Sequence, residues 1–135
     1  MSRPIRFRAW DKERKQMAEL ATMCVGPTVT AWVKTPDGFD RILVDGENAD
    51  FMQFTGLKDR EGKEIWEGDI VADNSFEDDT RLWRSKVTFV KGCFMTFDNE
   101  NGHQPLGIFG VENLEVLGNI YENPELLLPK DEVGL

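Results

Sequence analysis

Apolar and polar residues alternate in short runs along this chain, and clusters of turn residues separate the runs. Ile5, Phe7 and Ala9 alternate with Arg6, Arg8 and Trp10, the period of two expected of a half-buried strand. Asp11–Lys15 reads as a polar turn. Met17–Cys24 is a second apolar segment whose pattern fits helix or strand, and Gly26-Pro27 stops it. Thr28–Lys34 is rich in β-branched and aromatic residues and predicts a strand. Pro36-Asp37-Gly38 predicts a turn, because Pro presets its φ and Gly accepts a positive one. Ile42–Val44 is a short apolar run closed by Asp45-Gly46-Glu47-Asn48. Phe51–Thr55 predicts a further strand. The polar tip Lys58–Lys63 carries Gly62 where a left-handed residue is needed. Ile65-Trp66 returns as a strand, Glu67-Gly68-Asp69 interrupts it, and Ile70-Val71-Ala72 resumes, so Gly68 predicts a bulge or sharp bend.

Beyond an acidic loop at Asp73–Thr80, Trp83, Ser85, Val87 and Phe89 alternate with Arg84, Lys86, Thr88 and Val90. Lys91-Gly92 is a tight turn and Cys93–Phe97 pairs back, the clearest hairpin in the chain. Asp98–Pro105 reads as a loop. Leu114–Tyr121 is the last strand, with Gly118 at a bulge. Asn123-Pro124-Glu125 has the signals of a helix start, and Leu126–Leu128 continues it as a short helix before Pro129. Short strands with turns about every 8–12 residues predict a mainly β fold, a small barrel or roll. No internal repeat or linker interrupts it. The expected organisation is one domain over 1–135: a β-rich extension at 1–50, a barrel core and terminal helix at 51–128, and a mobile tail at 129–135.

Composition narrows the class of function. The 135 residues are 40% hydrophobic and 30% charged, with nine Phe and four Trp, so a core is available. The net charge of -9 disfavours a generic nucleic-acid groove, since phosphate neutralisation supplies most non-specific affinity. The first sixteen residues are the exception, with six Lys/Arg against two Asp/Glu. The two cysteines, Cys24 and Cys93, are too few for a disulfide framework, and buried packing is the role expected of each. The first residues lack the apolar stretch of a signal peptide, and no apolar run reaches membrane-span length. A cytoplasmic protein without membrane contact is expected.

Candidate chemistry is sparse. The single imidazole, His103, falls in the polar loop, and no CxxC or HxxxH is present, so no metal site is expected. Asp73, Glu77, Asp78 and Asp79 lack the spacing of a calcium loop. His103 is the only imidazole base for Cys93 or any serine, and Glu64, Glu67 and Asp69 read as turn and edge residues. Phosphate-binding glycine loops are absent. No catalytic residue and no cofactor is expected, and an enzyme ranks last. Arg6, Arg8 and Trp10 share one strand face, and Trp83, Arg84 and Lys86 adjoin one another. Such basic-aromatic groups suit either a protein interface or the stacking of a single strand. The acidic total favours protein.

Three segments resemble the YopX family of bacteriophage and prophage proteins. They are Phe7–Asp11, Met52–Val71 and Leu114–Leu126, in the family's order. The resemblance implies a mostly β structure with an SH3-type barrel in its C-terminal part, phage or prophage origin, and self-association. It carries over no catalytic residue. The leading expectation is a non-enzymatic, homo-oligomeric interaction module that binds a host or phage protein. The alternatives are an acidic inhibitor imitating nucleic-acid charge, and a weak single-strand binder using the six residues above.

Overall fold

A computed structural model of the chain describes residues 5–35, 38–73, 84–98, 102–106 and 113–127. The chain divides into two compact units, Met1–Phe54 and Thr55–Leu135. Eleven strands are described: β1 (Phe7–Asp11), β2 (Gln16–Val25), β3 (Val29–Thr35), β4 (Gly38–Val44), β5 (Ala49–Lys58), β6 (Glu64–Trp66), β7 (Asp69–Asp73), β8 (Arg84–Val90), β9 (Cys93–Asp98), β10 (Gly102–Pro105) and β11 (Leu114–Asn119). No helix among the described residues is long and apolar enough to cross a membrane.

In the first unit the strands run antiparallel in the order β4-β3-β2-β1-β5. Asp11 ends β1 and makes its turn: its Oδ1 accepts the N–H groups of Glu13 and Arg14 at 3.0 and 3.1 Å. Its carbonyl accepts Lys15 N–H at 2.8 Å, with Lys15 at φ 53°. Two bulges then bend the sheet. Ala21 and Thr22 together oppose Trp32 where the β2–β3 register shifts, and a second shift falls between Trp32 and Lys34 on β3. Each bulge adds local twist. The result is a strong curl: β4 and β5 flank opposite sides of the β3-β2-β1 run, yet only Asp45–Asn48 joins them. Asn48 holds that join, accepting Val44 N–H on its side chain at 2.7 Å and Lys12 N–H on its carbonyl at 3.0 Å. The inward face of the curl packs Ala9, Ala18, Val33, Leu43 and Ala49, with Leu20 and Phe51 against them. Three of the five are alanine, which suits a tightly wound sheet. At the rim, Arg41 Nη1 lies 3.4 Å from the buried Asp11 Oδ2, a charge contact without hydrogen-bond geometry, and Nη2 lies 2.8 Å from Glu13.

In the second unit β6 joins the end of β5, and a five-stranded antiparallel sheet has the order β10-β9-β8-β7-β11. The β8–β9 hairpin is the one the alternation predicts: Val90 faces Cys93 across a two-residue turn. Lys91 and Gly92 both take positive φ, 52° and 81°, the conformation whose twist matches the strands. Gly62 at φ 84° fills the left-handed position expected of it, and Gly68, at the interruption between β6 and β7, is left-handed too at φ 87°. β11 bulges between Val116 and Gly118. The core has larger side chains here: Ile65, Val71, Val87, Leu114 and Val116, with Leu106 beside them.

The sequence-based picture needs several corrections. The fold is mainly β, but neither sheet closes into a barrel among the described residues: β4 and β6 end one, β10 and β11 the other. The C-terminal helix is a single 3-10 turn, Pro124–Leu127. Asn123 does not cap it. Its Oδ1 accepts Asn119 N–H at 3.2 Å, reaching back to β11, and only its carbonyl serves the turn, accepting Leu126 N–H at 3.1 Å. Met17–Cys24 is strand, because β1 and β3 offer ladders on both sides. The expected loop at 98–105 contains β10, paired to β9 from Gly102 to Pro105. Cys24 and Cys93 are exposed free thiols, not core residues. Cys93 abuts the hairpin turn, and Cys24 lies opposite Thr30 near the end of β2. The turn at Pro36-Asp37, the acidic loop beyond Asp73 and the tail lie outside the described residues.

Candidate interaction surface

The six basic and aromatic residues singled out by sequence fall in different units. Arg6, Arg8 and Trp10 belong to the first, and Trp83, Arg84 and Lys86 to the second. Arg6 is exposed just before β1, its guanidinium carbon 5.3 Å from the centroid of the Phe54 ring. Arg8 and Trp10 follow on the same face of β1, both half-buried. Arg8 stands opposite Glu19 and Met52, and Trp10 opposite Met17 and Asp50. Trp83 lies outside the described residues. Arg84 is half-buried and donates from Nη1 to the Leu126 carbonyl at 3.4 Å, which ties it to the 3-10 turn. Lys86 holds its Nζ 5.4 Å from the Phe97 ring centroid. The basic residues on β8 are thus partly committed to their own unit.

Two further surfaces escaped the sequence reading. On the outward side of the first unit's curl, Trp32 on β3 stands opposite Ile42 on β4, and they are 37% and 46% exposed. Thr30 and Val44 form the next cross-strand pair, with Cys24 opposite Thr30. On the other side of Trp32, Lys34 makes an exposed ion pair with Glu19 at 3.4 Å. Strand alternation puts Val33 and Leu43 in the core and leaves Trp32 and Ile42 outside. An apolar cross-strand pair on a solvent-facing sheet surface is the informative exception to burial.

The second surface is a row across β8, β9 and β10. Lys86 pairs with Phe97, and Phe97 with His103. The imidazole of His103 is exposed and lies 4.7 Å from Phe97, ring to ring, tilted by 46°. The neighbouring row is Thr88, Met95 and Pro105. The sequence signal was present as Phe97 and His103 at matching alternation. It was hidden because Gly102–Pro105 has no strand-forming residues of its own.

The carboxylates inside the second unit are occupied as acceptors. Asp59, 7% exposed, follows β5 and takes three backbone N–H groups. Oδ1 accepts those of Glu61 and Lys63, each at 2.9 Å, and Oδ2 accepts that of Val116 at 2.9 Å. The last bond joins the β5–β6 tip to β11, reinforced by Arg60 N–H on the Leu114 carbonyl at 2.9 Å. Burial raises the Asp59 pKa, but the N–H groups of Val116, Lys63 and Glu61 together with the Lys63 ammonium outweigh it, and the carboxyl is held below its ordinary 3.8. Asp69 accepts Trp66 N–H on Oδ2 at 2.7 Å. Asn119 accepts Tyr121 and Glu122 N–H on Oδ1 at 3.0 and 2.8 Å. A general acid needs a raised pKa and an accessible proton. Asp59 has the opposite on both counts. Among the described residues no group of three His, Cys, Asp or Glu is placed to hold a metal ion.

The geometry defines a two-unit antiparallel β protein whose buried carboxylates are structural and whose distinctive chemistry lies on sheet faces. The model of the family described as YopX protein matches residues 6–128, and the chain belongs to the YopX family, whose members have no assigned biochemical role. It is similar to the crystal structure of protein EF1440 from Enterococcus faecalis, with 27% identity and a TM-score of 0.66 over 94% of this chain and 100% of that one. It is also similar to the crystal structure of yopX from Bacillus subtilis, with 27% identity and a TM-score of 0.60 over 91% of this chain and 95% of that one. No curated protein matches.

Proposed function

We propose that the protein is a non-enzymatic accessory factor of phage or prophage origin that works in the bacterial cytoplasm by binding protein, a second copy of itself included. The outward face of β2–β4 carries this reading, because Trp32 and Ile42 meet there on a surface rather than in a core. Charge supports it. Residues 1–54 hold eight Lys/Arg against eight Asp/Glu, while residues 55–135 hold eight against seventeen, so the first unit is neutral and the whole -9 lies in the second. Copies that meet through the neutral unit avoid juxtaposing like charge. The Lys34–Glu19 pair at the border is self-complementary under a two-fold axis. The non-enzymatic part rests on the occupied carboxylates of Asp59 and Asp69. The cytoplasmic part rests on two free exposed thiols, the usual state in a reducing compartment. The SH3-like reading of the second unit is supported by its strand order, a four-strand meander whose first strand is flanked by the fifth.

Light scattering at micromolar concentration tests the proposal. The expected mass is a multiple of 15.4 kDa. Trp32→Glu and, separately, Ile42→Lys are expected to return it to the monomer while the far-ultraviolet spectrum is unchanged. A monomeric wild type, or an oligomer indifferent to both variants, contradicts the proposal.

A further inference from the structure

The strands β8, β9 and β10 present one face through alternate residues: Arg84, Lys86 and Thr88 on β8, Met95 and Phe97 on β9, and His103 and Pro105 on β10. None of these is acidic, in a unit where Asp and Glu outnumber Lys and Arg by seventeen to eight. Asp59 and Asp69 of the same unit are buried inside it instead. On this face a cation, a benzene ring and an imidazole follow one another across three strands, at 5.4 Å from Lys86 Nζ to the ring centroid and 4.7 Å from that ring to the imidazole. β10 is the last strand of the sheet. Among the described residues no strand pairs with its far side, so the exposed His103 adds a second ring, tilted by 46°, beside Phe97 at that edge.

We infer that this face is a binding site for a short single-stranded nucleic-acid segment, with one base stacked on His103 beside Phe97 and a flanking phosphate drawn to Lys86. A flat π-surface next to a cation matches the base-plus-phosphate unit of an unpaired strand, because every base has a face to stack. A duplex hides those faces and offers only phosphates. The surrounding charge of the unit opposes a long electrostatic track, so the site holds one or two nucleotides and stacking dominates over phosphate contacts. This is independent of the protein-binding reading, which rests on the first unit.

Fluorescence anisotropy of dye-labelled hexathymidine and hexauridine, titrated with the full chain at about 50 mM salt, tests it. Saturable binding is expected. His103→Ala, an exposed position on the edge strand, is expected to weaken binding about tenfold, the loss of one stacked base. Lys86→Met is expected to reduce the slope of log affinity against log salt by about 0.7, one phosphate on a single strand. The same length of duplex is expected to bind more weakly. The inference is overturned by the absence of saturable binding, by a His103→Ala protein that binds as the wild type does, or by a duplex bound as tightly as the single strand. Far-ultraviolet spectra of both variants keep a folding defect from passing for lost binding.

Discussion

The two units reach a folded β structure by different means. The first is neutral, curls around an alanine-rich core, and relies on strand alternation, two bulges and the Asp45–Asn48 turn. The second carries the whole net charge, packs larger side chains, and is pinned by buried carbonyl and carboxylate oxygens that accept backbone N–H groups. The difference shows what the long motif Met52–Val71 is for. Two of its acids are engaged as acceptors of backbone N–H groups. Asp59 bonds to Val116 and Asp69 closes the β6–β7 turn on Trp66. One device recurs in both units, because β1, β5 and β11 each end at or just before an Asp or Asn. Asp11, Asp59 and Asn119 each accept the N–H two residues ahead and a second N–H close by.

The contrast can be broken by substitution, and the largest effect belongs to the second unit. Asp59→Ala leaves three N–H groups, that of Val116 buried, without their charged acceptor and is expected to cost about 4 kcal/mol in urea unfolding. A loss below about 1 kcal/mol would mean that the motif is not the fastener described here. Leu43→Ala probes the first unit, where the side chain is fully buried against small neighbours. About 3 kcal/mol is expected, and a much smaller loss would show that the alanine-rich curl collapses into the space. Gly118→Ala is next. A Cβ there would overlap the Asn123 side chain, so the Asn123–Asn119 bond must yield, at about 2 kcal/mol by the same urea measurement. The smallest effect is the exposed Lys34–Glu19 pair, for which a double-mutant cycle on stability is expected to give less than about 0.5 kcal/mol of coupling. That near-neutral result would free both residues for use at an interface.

What the sequence revealed follows the range of the interactions. The β8–β9 hairpin, the bulge at Gly118 and the left-handed Gly62 were legible because each depends on a few adjacent residues. β10 was not. Gly102-His103-Gln104-Pro105 becomes a strand only because β9 supplies a ladder. The 3-10 turn was misread as a helix because Asn123 has the right identity for a cap, but its side chain is taken by Asn119 on β11. Asp59 was read as part of a polar tip. The local signal was there, an Asp three residues before Gly62 in a turn, but its bond to Val116 spans a separation that no local pattern reports. The Trp32–Ile42 pair was invisible for a related reason: alternation says that one face is buried without saying which long-range partner leaves the other bare.

The central structural claim is that the ionised Asp59 carboxylate fastens the second unit, and the direct test is the stability of the wild type and Asp59→Asn from pH 7 down to pH 2. The folded-state pKa of Asp59 lies below the ordinary 3.8, so its contribution is fully present above that value and is lost as pH falls through the lower, folded one. The predicted result is a wild type more stable by about 2 kcal/mol at neutral pH, with the gap closing below pH 3.8 as the acid becomes neutral like the amide. Curves that stay parallel across the whole range, or coincide at pH 7, would contradict it.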